Sequence, residues 1–218
     1  MRRTGFVFAA LVIAACTFAA LASARDPRRE TERLRPADMS AARNAVIRLR
    51  DLNAGWKRDT RPDDDDSTTC PGFNPDFSRF VITGKATVAF AHPAGAWLIS
   101  GTEIYASRDH AVGDFRLGAR PELARCLRYM LEHETPKDPS VRVRVLSSRM
   151  LPSPRIGERS ARYQVAARFV GPARSLTMYV DVFAFQQRRT IGFLMTMSVS
   201  QPIRDGGKLS RVMLSRFR

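Results

Sequence analysis

The sequence has few of the residues that usually build catalytic and metal sites. It contains three cysteines and three histidines in 218 residues, and His92, His110 and His133 are not at metal-ligand spacing from one another. It also lacks a Gly-x-Ser-x-Gly element, a phosphate-binding loop and a dinucleotide fingerprint. We therefore predict a protein that is not an enzyme and that binds neither a metal ion nor a cofactor.

Lysine is scarce as well, although the chain is strongly basic. Only four of the 36 basic residues are lysines, and the formal net charge is +15 at pH 7. A charge of this size attracts anionic partners, but an arginine-for-lysine bias also arises from a GC-rich coding sequence. The arginines are spread along the chain without a nucleic-acid-binding motif, so we predict no specific nucleic-acid partner.

The long hydrophobic run of the chain lies near its beginning. It spans residues 6–22, follows Arg2 and Arg3, and ends at the small-residue triplet of residues 22–24. This pattern predicts a signal peptide over residues 1–24, and hence a protein that is secreted or lies on the extracellular face of the cell envelope. The run is short for a membrane span, so we expect none in the mature protein. Residues 13–16 also resemble a lipobox, and lipidation of Cys16 is the alternative, which would anchor the protein.

Two cysteines, Cys70 and Cys126, lie outside the predicted signal peptide. In an oxidising compartment, an isolated pair most simply forms one disulfide bond. Closing a loop of this length is worth about 4 kcal/mol of unfolding free energy if the bond acts through chain entropy. The alternatives, two free thiols or part of a metal site, would need an activated thiolate or further ligands at suitable spacing.

The remaining pattern predicts a tether followed by one domain. Residues 25–36 are charged and have no apolar periodicity, which is typical of a disordered segment, and residues 37–218 form the predicted domain. A helix from Asp38 or Ser40 to Gly55 is followed by a hairpin, one or two helices, about four strands and a closing helix. This order predicts an α+β fold, with an antiparallel sheet of about six strands and helices packed on one face.

Two of the late strands are apolar on both of their faces. In the first, Tyr179, Phe183 and Phe185 share one face beside Asp181, and in the second Leu194 lies opposite a methionine-rich face. Strands that are buried on both sides explain such a pattern without any ligand. The functional interpretation is a groove for an apolar small molecule, with Tyr179, Phe183, Phe185 and Leu194 as its ligand-binding residues.

The segment Asp51–Trp56 (DLNAGW) resembles the DLP-x-GW element of many bacterial secreted α+β domains of the PsbP/Mog-like type. Together with a later helix that carries Cys126, several strands and a closing helix, it makes the chain resemble the extracellular sensor domains of bacterial Ser/Thr protein kinases and their stand-alone secreted relatives. The resemblance implies a disulfide-bonded α+β domain with a cleft for an unknown ligand. Such domains usually have two disulfide bonds, whereas this chain has cysteines for one, and the resemblance assigns no ligand-binding residue.

These expectations lead to two hypotheses about function. The first is a secreted or cell-surface, non-enzymatic, sensor-like domain that binds an unknown apolar small molecule or a cell-envelope component. The alternative is an envelope interaction or structural protein whose arginine-rich surface contacts anionic polymers or lipids. An open pocket at Tyr179, Phe183 and Phe185 would favour the first hypothesis, and a filled sheet face with a continuous arginine patch would favour the second.

Overall fold

One mixed sheet organises the fold in a computed structural model that describes residues 28–60, 70–133, 140–199 and 201–217. Within these ranges the sheet has eight strands: Thr31–Glu32 (β1), Lys57–Asp59 (β2), Val81–His92 (β3), Ala96–Tyr105 (β4), Arg142–Leu151 (β5), Arg159–Val170 (β6), Ser175–Gln187 (β7) and Thr190–Val199 (β8). Their order is β1-β3-β4-β8-β7-β6-β5, and β2 pairs with β3 off this path. β1 runs parallel to β3, and the other described pairs are antiparallel.

The sheet consists of two antiparallel units, the β3–β4 hairpin and the β5–β8 meander, which are joined by pairing between β4 and β8. Helices Arg108–Gly118 (α2) and Glu122–His133 (α3) connect the two units. Helix Pro36–Ala45 (α1) precedes the hairpin, and helix Gly206–Leu214 (α4) follows the meander. Among the described helices, none combines the length and hydropathy that crossing a membrane requires.

Both sides of the central strands are buried, and side chains alternate between them. We call the side that carries Leu98 and Leu194 the front face, and the side that carries Tyr105 and Tyr163 the back face. All four of these side chains are completely buried. Each side of the sheet therefore needs its own covering layer.

Helices α1 and α4 form the layer on the front face. Leu209 and Met213 of α4 belong to one apolar cluster with Leu194. Helix α1 lies against β3, where a Cβ atom on Gly84 would come within 2.4 Å of the Asp38 carbonyl group. Glycine at this position therefore allows the helix to approach the sheet closely.

Helices α2 and α3 form the layer on the back face. Ala111 and Phe115 of α2 and Ala124 of α3 pack in one cluster with Tyr105 and Tyr163. Helix α3 also lies against β5 and β6. The back of the sheet is therefore covered from its centre to its β5 edge.

The α+β class is confirmed, but two finer predictions about the sheet are wrong. The described sheet has eight strands rather than about six, because β1 and β2 are only two and three residues long and carry no apolar alternation. Helices pack on both faces rather than on one, because the central strands present apolar side chains on both sides. Helical periodicity identifies the apolar side of a helix, but it does not tell which face of the sheet that side contacts.

The predicted tether over residues 25–36 falls within the described part of the chain from residue 28 onwards. It contains β1, in which the Thr31 N–H donates a hydrogen bond to the Phe80 carbonyl at 2.9 Å. Backbone pairing of this kind needs no apolar pattern, so composition alone did not predict it. The predicted signal peptide and Cys16 lie outside the described residues.

The first helix is shorter than predicted. It ends at Ala45 instead of continuing to Gly55. Beyond it, Ile47 turns into the core with 1 % exposure, and its N–H donates to Ser100 Oγ at 3.1 Å. The helix therefore ends where Ile47 is buried against the front face, although apolar residues continue at helical spacing beyond that point.

The predicted disulfide bond joins Cys70 to Cys126, with their Cα atoms 5.5 Å apart. Cys126 lies on α3 and is 1 % exposed. The bond therefore fastens the segment that precedes β3 to the helix layer on the back face.

Removal of this bond should destabilise the domain, because it closes a loop with a sequence separation of 56 residues. The double substitution Cys70→Ala and Cys126→Ala is expected to lower the free energy of unfolding by about 4 kcal/mol. Urea unfolding of the oxidised wild type and of the variant measures the difference, and the reduced wild type controls for lost sulfur packing. Equal midpoints for the oxidised wild type and the variant would contradict this expectation.

Candidate anion-binding face

The outer strands β5 and β6 present apolar side chains to the back and arginines to the front. On β5, Val143 and Val145 pack in the cluster under α3, whereas Arg142 and Arg144 alternate with them and lie on the front side. Helix α1 packs on β3 and β4, and α4 packs on β7 and β8. In the described part of the chain, the front side of β5 and β6 is therefore left without a covering helix.

The strand register gathers the arginines into one patch. Arg144 is the direct cross-strand partner of Arg168, Arg142 lies two residues before Arg144, and Arg149 pairs with Gln164. We call Arg142, Arg144, Arg149 and Arg168 the arginine face. All four are exposed, and none forms an ion pair with a carboxylate of the described residues.

The positive charges of neighbouring arginines in the arginine face repel one another when no anion lies between them. Cross-strand partners have Cβ atoms about 5 Å apart, and like charges directly opposite each other destabilise a sheet. Arg144 and Arg168 are such partners. An anion between two guanidinium groups removes the repulsion, and each planar guanidinium can bind phosphate or carboxylate oxygens through two hydrogen bonds. The chemistry that suits this face is therefore anion binding.

An ion pair between a partly exposed arginine, Arg162, and a buried carboxylate, Asp181, lies beside the arginine face. Asp181 is 1 % exposed, and Arg162 donates to its Oδ1 from Nη2 at 2.8 Å and from Nε at 3.0 Å. Gln164 Nε2 lies 3.3 Å from each carboxylate oxygen, and the Arg162 guanidinium lies 5.0 Å from the centre of the Phe183 ring. The Asp181 carboxylate is therefore occupied by its own partners and does not neutralise the exposed arginines.

The structure places three of the four predicted ligand-binding residues in the core. Phe183, Phe185 and Leu194 share the front face, as the alternation predicts, but their exposures are 4 %, 0 % and 0 %. They are inaccessible because Leu209 and Met213 of α4 pack in the same cluster. The fourth, Tyr179, is half-buried at the border of the arginine face.

A second group of polar side chains lies on the back face, between β4 and α2. Tyr105 Oη donates to Glu103 Oε2 at 2.8 Å, and Glu103 is the cross-strand partner of Lys85. Asp114 of α2 is 8 % exposed, and its Oδ2 has no hydrogen-bond partner among the described residues. We call Glu103, Asp114 and their acidic neighbour Glu30 the acidic group.

Burial raises the pKa of two members of the acidic group, Glu103 and Asp114. It raises the pKa of Glu103 to about 7, and the nearby Glu30 carboxylate adds to this increase. Burial also raises the pKa of Asp114, with further increases from the Glu103 and Glu30 charges and from a hydrogen bond between the Asp114 and Glu30 carboxyl groups. The acidic group therefore contributes to stability in a way that depends on pH.

Known proteins add no assignment to this geometry. No family model matches the sequence, and no curated protein matches it significantly. The resemblance of residues 51–56 to the sensor-domain element stays a prediction. Within the described residues, no group of three or more potential ligands is arranged to hold a metal ion.

The acidic group should make the domain less stable as the pH rises through neutrality. The folded-state pKa of Glu103 is about 7, above the ordinary value of 4.5, so the folded state keeps a proton that the unfolded state has lost. This stabilisation is complete below the unfolded-state pKa and disappears as the pH rises through the folded-state pKa. We expect the free energy of unfolding to fall by about 2 to 3 kcal/mol between about pH 5 and pH 8.

Urea unfolding at a series of pH values measures this slope. The variant Glu103→Gln keeps an acceptor for Tyr105 but cannot titrate, so it should flatten the dependence. The control Glu132→Gln removes a surface pair with Arg128, 3.1 Å apart in the wild type, and should leave the slope unchanged. A slope that is equally steep in Glu103→Gln would show that this carboxyl group is not its source.

Proposed function

We propose that the protein is a non-enzymatic, secreted or cell-surface protein whose arginine face binds phosphate- or carboxylate-bearing components of the cell envelope. The observation that carries this proposal is the direct pairing of two exposed arginines, Arg144 and Arg168. They belong to a patch of four arginines that has no acidic partner among the described residues. The predicted signal peptide supports the location, and the disulfide bond fits an oxidising compartment.

A general arginine bias does not account for this patch. Such a bias raises the number of arginines throughout a chain, but it does not place two of them directly opposite each other on neighbouring strands. Several arginines outside the patch do have close carboxylate partners, at 2.7, 2.6 and 2.6 Å: Arg108 with Glu158, Arg189 with Asp38, and Arg216 with Asp51. In the arginine face, by contrast, Arg144 and Arg168 are direct cross-strand partners and neither has a carboxylate partner among the described residues.

The dimensions of the arginine face favour an extended ligand. Arg142 and Arg149 are seven residues apart on β5, which corresponds to about 20 Å along a strand. A single small anion can contact only some of these guanidinium groups, whereas a polymer or an elongated anion can contact all four. Binding through exposed charges of this kind should weaken as the salt concentration rises.

The hypothesis of a purely apolar ligand has less support. Its predicted residues Phe183, Phe185 and Leu194 pack beneath α4 and offer no surface to a ligand. Of the two hypotheses from the sequence, the arginine-rich surface is therefore the one that the geometry favours.

Replacing all four arginines of the arginine face by glutamine should weaken the binding of inorganic polyphosphate. We expect the affinity to fall about tenfold or more at low salt, because an exposed charge contact contributes up to about 1 kcal/mol. The slope of log K against log salt should become shallower by about 3, because about 0.7 counterion is released for each contact. Isothermal titration calorimetry at several salt concentrations measures both quantities.

A matched control distinguishes an effect of the arginine face from an effect of the net charge of the protein. It replaces four exposed arginines, one on each helix: Arg43→Gln, Arg116→Gln, Arg125→Gln and Arg211→Gln. The two variants lose the same charge, so an equal loss of affinity in both would refute the proposal. Circular dichroism checks that both variants remain folded.

A further inference from the structure

A cavity of about 540 Å³ lies at the end of the central strands. Its position is between the β3–β4 turn, the end of β8 and the segment 201–204, and most of its lining is apolar: Ala94, Ala96, Val199, Pro202 and Ile203. Arg204 adds a cation to the lining; it is exposed and has no carboxylate partner among the described residues. The cavity is open to solvent, and its volume lies within the range of clefts that bind small molecules.

The strand register connects this cavity with the arginine face. Ser198, which also lines the cavity, is the cross-strand partner of Tyr179, and Tyr179 is the partner of Ala166 on β6. Ala166 lies two residues from Arg168 on the same side of the sheet. Since neighbouring strands are about 4.8 Å apart, the backbone at the cavity and the backbone of Arg168 are separated by roughly 12 Å.

Tyr179 lies between the two regions. Its ring is half-buried, and its hydroxyl group has no hydrogen-bond partner among the described residues. A tyrosine offers an apolar ring and a polar hydroxyl group on the same side chain. It is therefore suited to contact the junction between a charged part and an apolar part of one ligand.

We infer that the cavity, Tyr179 and the arginine face form one binding site for an amphiphilic anion. Its phosphate-, sulfate- or carboxylate-type head contacts Arg144 and Arg168, and its hydrocarbon part occupies the cavity. This inference rests on the proposed function and names the ligand class of the same site. The arginine face supplies positive charge but no enclosed apolar surface for a hydrocarbon chain. The cavity supplies apolar surface and one cation. One ligand molecule with a charged head and a hydrocarbon part could therefore contact both regions.

The test compares butyl, hexyl and octyl monophosphate, below their micelle concentrations, with tripolyphosphate, which carries charge but no hydrocarbon. Affinity measured by calorimetry should rise roughly two- to fourfold for each added methylene group, because each one leaves water for the cavity. No rise with chain length would overturn the inference.

Two variants locate the hydrocarbon part of the ligand. Ala96→Ile fills the cavity from β4, and Ile203→Asn makes its wall polar in the segment before α4 without adding a charge. Each should remove the dependence on chain length and leave the affinity for tripolyphosphate unchanged. The double variant Arg144→Gln and Arg168→Gln should lower the affinity for every probe. A dependence on chain length that persists in both cavity variants would overturn the inference, and Ile203→Asn decides the case if Ala96→Ile does not fold.

Different results would refute the amphiphile inference and the proposed function. If the affinity for tripolyphosphate does not change in the double arginine variant, the arginine face is not the anion site and both are refuted. If that affinity falls but chain length has no effect, the proposed function stands and the amphiphile is refuted. A last comparison uses vesicles of anionic phospholipid. If the wild type and both cavity variants bind them equally well, and chain length has no effect in solution, the protein contacts lipid headgroups alone. That result would also refute the amphiphile.

Discussion

The antiparallel pairing of β4 with β8 is the contact on which the rest of the structure depends. It joins residues 96–104 to residues 190–198, which are far apart in the chain, and places β4, β8 and β7 in the middle of the sheet. Strands in the middle are covered by helices on both faces, whereas β5 and β6 lie toward one edge and have a helix layer only behind them. The position of the open front surface follows from this strand order.

The edge position of β5 explains part of its sequence. Edge strands are protected against pairing with other chains by charged side chains and by bulges, and β5 has three arginines on its front side and a register shift between Val145 and Ser147. Lysine, glutamate or charges of alternating sign would protect the edge equally well. Protection does not explain why Arg168 lies opposite Arg144, since that pairing adds repulsion within the sheet. The proposed anionic ligand would account for the feature that edge protection leaves unexplained.

Local signals in the sequence predicted much of the fold. Alternation of apolar residues located the hairpin and the late strands to within a few residues, and the compartment argument predicted the bond between Cys70 and Cys126. Features that depend on contacts between distant segments could not be predicted. A period of two placed Phe183 and Leu194 on one face, but their coverage depends on the close approach of α4, where a Cβ atom on Gly206 would lie 2.4 Å from the Phe183 ring. The arginines of β5 could be seen to alternate, yet only the register with β6 brings Arg168 beside them.

The acidic group and the arginine face both favour a positive charge on the folded protein. The formal net charge of +15 counts every carboxylate as ionised, but burial raises the pKa of Glu103 to about 7 and also raises the pKa of Asp114. The fold therefore reduces the negative charge that would offset the arginines. Other carboxylates, such as Asp38 and Asp181, are held by their own arginine partners. The arginines of the arginine face therefore keep their positive charge without a carboxylate partner among the described residues, which favours the proposed encounter with an anionic ligand.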